Sequence, residues 1–202
     1  MQIQGQPNTT LAPIARFNKP LPRLVMAIAA MVATAGCAQA GQAQEYEQSS
    51  RGAPMAELSL ASSAHQQGVD TTTQAQALAR IQAELALTDE HRARGLMHRE
   101  HLGEHEGMLF YYPNSQYRSF WMFNTLIPLD IAYLADDGEI LQIKTMEPCL
   151  SDNPGRCPGY QSDGRARAAL ELNAGAFADF GVDVGDYVLD ASCEHSPWAA
   201  GW

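Results

Sequence analysis

The chain has 202 residues, a formal charge of −10 and a pI near 4.9. That length accommodates one domain with tails. The acidic balance excludes a binder of phosphate backbones, which needs a Lys and Arg surplus, so no nucleic-acid partner is expected.

Residues 1–36 carry Arg16, Lys19 and Arg23 and no acid; without these three cations the charge moves from −10 to −13. Residues 24–35 form an uncharged, mostly apolar run, suited to the core of a signal peptide and too short to span a bilayer about 30 Å thick. Thr34-Ala35-Gly36-Cys37 follows at once. Small residues before a cysteine resemble the lipobox of bacterial lipoproteins, in which the cysteine is lipidated and becomes the new N-terminus. Ala38-Gln39-Ala40 offers a rival cut for simple secretion. Both readings export the protein, to the periplasmic or cell-surface side. The lipid would be its sole attachment to a membrane.

Residues 37–77 comprise that cysteine and a stretch rich in Gln, Ala, Ser and Thr, with no sustained hydrophobic period. Such composition buries too little apolar surface to offset chain entropy, and it predicts a disordered tether. The folded domain is expected over 78–190, with a polar tail over 191–202.

Within the domain, 81–87 reads as a strand. Thr88-Asp89-Glu90 then supplies an N-cap and early acids for a short helix through Arg94. Residues 107–112 and 118–124 are apolar and aromatic, with Pro113-Asn114-Ser115 expected as the turn between two strands. Asp136-Asp137-Gly138 is a hairpin signal between strands at 129–134 and 139–146. The first of these is apolar on both faces, which predicts a central position. In the second, Leu141, Ile143 and Thr145 alternate with Gln142 and Lys144, which predicts one wet face. Residues 166–172 form another strand, 174–180 a short helix and 187–189 a last strand. The fold class is mainly β: a small antiparallel β-sandwich or barrel-like domain with two short helices.

Several motifs recur in a fixed order. They are Arg92-Ala93-Arg94-Gly95-Leu96-Met97-His98-Arg99, Gly107-Met108-Leu109-Phe110, Phe120-Trp121-Met122-Phe123-Asn124-Thr125 and Ile127-Pro128-Leu129-Asp130-Ile131, then Leu170-Glu171-Leu172 and Val184-Gly185-Asp186. The series resembles the domain-of-unknown-function family one hundred and ninety-two (DUF family 192) from residue 78 to 189. The resemblance implies a small β-sandwich or barrel-like domain, often exported or membrane-tethered, and implies no catalytic residues. One departure is a longer connection containing Cys149 and Cys157. In an oxidising compartment these two are expected to form a disulfide. Cys193 would then be an unpaired thiol or a bridge to another chain.

Trp121, Asn124, Asp130 and Glu171 are polar or amphipathic residues set among apolar strands. A buried carboxylate is costly unless paired or hydrogen-bonded, and Arg92 and Arg99 are the expected partners. These groups could line a pocket for a small polar ligand with Trp121 as its wall. Alternatively, Asp130 fixes the core by accepting backbone N–H groups. Three residues apart in a strand, Trp121 and Asn124 would point to opposite faces. His98, His101 and His105 would share one face if the segment were helical, yet Gly103 interrupts it, and surface histidines are the preferred reading over a metal site. Cys193 and His195 suggest a nucleophile and base, in a tail with nothing to orient them. There is no GxSxG elbow, Walker A loop or GxGxxG fingerprint, and no cofactor is expected. The sequence therefore suggests a non-catalytic envelope module that binds a small polar ligand or an envelope protein. The alternative is an enzyme using Asp130 as general acid or base.

Overall fold

A computed structural model describes residues 52–63, 77–191 and 197–198. Cys37, Cys193, His195 and the export segment lie outside these residues. The described elements are β1 (Met55–Ala61), β2 (Ala79–Ala86), α1 (Asp89–Arg94), β3 (Glu106–Trp121), β4 (Leu129–Leu134), β5 (Ile140–Met146), β6 (Gly159–Asn173), α2 (Ala176–Asp179) and β7 (Tyr187–Asp190). They build one seven-stranded sheet in the order β5-β4-β6-β3-β2-β1-β7. Neighbouring strands are antiparallel except β2 and β3, whose parallel pairing requires a crossover, supplied by the α1 segment. At one corner the two edges meet, because Glu139 bridges Tyr187 and the Val188 N–H donates to Gly138 O at 2.9 Å. Of the two expected architectures, the curled barrel-like one is realised.

The curl separates two apolar clusters. Leu58, Leu60, Ile81, Leu85, Leu109, Leu134, Leu170, Leu172 and Phe177 fill one face. Phe110, Phe120, Met122, Ile131 and Tyr133 lie on the other with Leu96 and Leu102. Each fully buried Leu, Ile or Phe contributes roughly 1.5–3 kcal/mol. The strands approach so closely at Gly107 that a Cβ there would sit 2.6 Å from Glu171 O and 2.6 Å from Leu172 Cδ2. Only glycine fits.

Four expectations are corrected. The stretch 37–77 was expected to lack sheet structure, yet β1 lies within it, paired with β2 and β7. Its alternation of small and aliphatic residues is too weak to register as a period, but neighbours on both sides bury it. The expected turn at Pro113-Asn114-Ser115 does not reverse the chain. Tyr111 pairs with Ala168 and Gln116 with Ala166, so residues 112–115 bulge opposite Arg167 and β3 runs on along the same neighbour. Arg118 anchors the bulge, hydrogen-bonding Asn114 and stacking its guanidinium 3.7 Å from the Tyr112 ring centroid. In β5, Tyr133 pairs with Gln142 and Leu134 with Ile140, which leaves Leu141 looped out and exposed. The polar tail is also not wholly detached, since Trp198 is buried, stacks on Tyr111 and donates to Asp136 O at 2.6 Å.

Candidate functional site

The α1 helix packs beside β2, and the turn after it brings Gly95 and Leu96 against Phe110 of β3. Thr88 caps the helix by accepting the His91 N–H at 3.1 Å, and Asp89 and Glu90 follow in the positive first turn. Gly95 ends the helix at a φ of 48°, with the Phe110 ring packed where a side chain would begin. Between this turn and the sheet lies an open cleft of about 290 Å³, lined by Arg92–Met97, Phe110, Phe120, Trp121, Thr125 and Glu171. That figure includes space open to solvent.

Glu171 is the cleft's distinctive group. It lies mid-β6, opposite Met108 on β3 and Ile131 on β4, and is 4% exposed. No described residue donates a hydrogen bond or a cation to its carboxyl, and burial alone raises its pKa to about 8. At neutral pH it is mostly protonated. Desolvation raises the Tyr133 and Tyr112 hydroxyls above the ordinary phenol range; the negative charge of ionised Glu171 adds to both shifts, while Arg118 and Arg92 oppose the one at Tyr112.

The two arginines at the rim are already committed. Arg92 donates to Leu87 O at 2.6 Å, Tyr111 O at 2.9 Å and Asp89 Oδ1 at 2.6 Å. Arg94 pairs with Glu90 at 2.8 Å. Trp121 is 48% exposed at the opening and packs against Phe123 at 5.7 Å.

Of the residues singled out from sequence, Trp121, Arg92 and Glu171 line the cleft, whereas Asn124, Asp130 and Arg99 do not. Arg92 and Arg99 were expected to neutralise Asp130 or Glu171; this is corrected, because Arg99 is bonded to Glu84 on β2 and Arg92 to Asp89. Asp130 is buried, with Oδ1 accepting the Thr145 hydroxyl at 2.7 Å and Oδ2 accepting the Gly175 N–H at 2.8 Å. Asn124 lies beyond the end of β3 at a φ of 54°, a region Asn tolerates better than most residues. Its carbonyl accepts the His98 N–H at 2.8 Å, and its own N–H donates to Cys149 O at 3.1 Å.

The helix ends before His98, so the three histidines gain no helical alignment. His105 stacks on Phe180 at 5.1 Å, while His98 and His101 are exposed. Among the described residues no group of three His, Cys, Asp or Glu side chains is placed to hold a metal. Cys149 and Cys157 form the expected disulfide, with Cα atoms 5.7 Å apart. The Cys149 backbone bonds to Met122 and Asn124, just past Trp121. Glu171 was visible in sequence only as an acid among apolar residues. Its lack of a partner depends on which strands flank it.

A family model, DUF192, described as an uncharacterized ACR, matches residues 70–189. The chain belongs to this family. Two solved structures resemble the DUF192 chain. One is a protein of Sinorhizobium meliloti 1021 provisionally described as a transcription regulator, at 26% identity and a TM-score of 0.56, covering 75% of this chain and 99% of its own. The other, of unknown function, comes from Novosphingobium aromaticivorans DSM 12444, at 29% identity and a TM-score of 0.55, covering 76% and 98%. No curated protein matches the DUF192 chain.

Proposed function

We propose that this protein is an exported, lipid-tethered envelope module that captures a small ligand in the cleft beneath α1. The observation that carries this reading is Glu171, a buried carboxyl on the cleft floor with no partner of its own. A hydrogen bond to a charged group contributes roughly 1.5–3 kcal/mol, and a ligand donor seated in the cleft would supply one. Trp121 provides an exposed aromatic wall at the mouth, and Thr125 a second polar side chain within.

Binding rather than turnover follows from the lining, where Glu171 is the one carboxyl and no His, Cys or Asp stands beside it among the described residues. Asp130 has both carboxyl oxygens occupied and lies away from the cleft, so a general acid or base role for it has no geometric support. Export rests on the basic flank, short apolar core and Thr34-Ala35-Gly36-Cys37 junction; the Cys149–Cys157 disulfide suits an oxidising compartment.

The test is a thermal-shift screen of the purified protein against small polar metabolites, with Trp121→Ala as control. Stabilisation by a ligand that the variant loses is expected. A screen without hits, or hits indifferent to Trp121→Ala, would overturn the cleft as a ligand site. In cells, Cys37→Ala should release the protein from membranes, whereas an unlipidated mature chain starting at Gly41 would mean simple secretion.

A further inference from the structure

Resting on that reading of the cleft as a ligand site, we propose that its ligand is a primary ammonium group on a short alkyl chain, seated between the Glu171 carboxyl and the rings of Phe110, Phe120 and Trp121. Four observations converge on a cation. The carboxyl offers acceptors and has no donor against it, and an ammonium brings three donors. The rings of Phe110, Phe120 and Trp121 line the cleft, and an aromatic face attracts a cation through the ring quadrupole. The guanidiniums at the rim already have partners, Arg92 in Asp89 and two carbonyls, Arg94 in Glu90. The chain's charge of −10 also draws cations toward it.

The groups around Glu171 leave it as the titrating member of the site. Tyr112 on β3 and Tyr133 on β4 are phenols held above their ordinary range. On β2, Glu84 is neutralised by Arg99, and on α1 the two arginines carry their own acids. Seating an ammonium requires the Glu171 proton to leave for solvent. With a free carboxyl near 8, binding at pH 7 releases a proton from most molecules, and affinity tightens about tenfold or more from pH 6 to pH 8. Alkylammonium groups, like Lys with its pKa near 10.4, stay charged throughout that range.

The experiment is isothermal titration calorimetry on the whole protein with butylammonium, in two buffers of different ionisation enthalpy, with n-butanol and butyrate as controls. Net proton release at pH 7, tightening from pH 6 to 8, and at least tenfold weaker binding by Glu171→Gln are expected. Should Glu171→Gln fail to fold, the wild-type proton count and pH profile decide alone. Nα-acetyllysine amide and putrescine distinguish a protein side chain from a free polyamine, and tighter binding of either supports the ammonium assignment. Butanol or butyrate binding as tightly as butylammonium, in a manner lost in Trp121→Ala, would overturn the ammonium assignment and leave the cleft as a ligand site. Failure of these probes together with an empty metabolite screen would overturn both.

Discussion

Glu84 on β2 and Glu171 on β6 stand on either side of Met108 in one cross-strand row, and only Glu84 has a cation against it. The two carboxyls are separated by two strand spacings, roughly 10 Å. Removing Arg99 should therefore leave a second buried acid uncompensated on the same face. Arg99→Met is expected to cost about 3–5 kcal/mol in denaturant unfolding, and the double variant Glu84→Gln/Arg99→Met should recover most of it. A single variant as stable as the wild type would show that the pair contributes nothing.

Asp130 joins three elements, taking the Thr145 hydroxyl from β5 and the Gly175 N–H ahead of α2. Asp130→Asn exchanges two charge-assisted bonds for neutral ones, with the Thr145 hydroxyl turning to accept from the new NH2, at about 1–3 kcal/mol. The expected outcome is a lower melting temperature with ligand affinity in the cleft unchanged. An equally stable variant that has lost binding would make Asp130 a site residue.

The disulfide closes a short loop whose first residue holds the Asn124 N–H. Closing nine residues contributes roughly 2.6 kcal/mol by loop entropy. Replacing both cysteines with Ser should lower unfolding stability by about that amount and speed amide exchange at Asn124. Unchanged exchange there would mean that the segment after Trp121 is held independently of the bridge.

Local chemistry was legible wherever it acts within a few residues. Asp136-Asp137-Gly138 announced the β4–β5 hairpin, Thr88-Asp89-Glu90 announced α1, and the doubly apolar β4 announced its place inside the sheet. What depended on distant neighbours was not. β1 is a strand because β2 and β7 flank it, and Pro113 sits in a bulge rather than a reversal because β6 continues alongside. In the site, Trp121 and Arg92 were legible as cleft residues. Arg99 was given the wrong acid, because β2 brings Glu84 to it, and Asn124 contributes its backbone through a left-handed turn that its side-chain type only hints at.

Glu171 is desolvated and has no cation against it in the cleft. Its carboxyl then titrates at about 8, against 4.5 for an ordinary Glu. Between those values the folded protein holds a proton that the unfolded chain has released. Stability present below pH 4.5 is therefore lost as pH rises toward 8, by up to about 1.4 kcal/mol per pH unit, and Glu171→Gln should flatten that slope. The most direct measurement is a site-resolved ¹³C NMR titration of the Glu171 carboxyl in the ligand-free protein. The structure predicts a midpoint near 8. A midpoint at or below 4.5 would mean a solvated or paired carboxylate, and would contradict the account of the cleft.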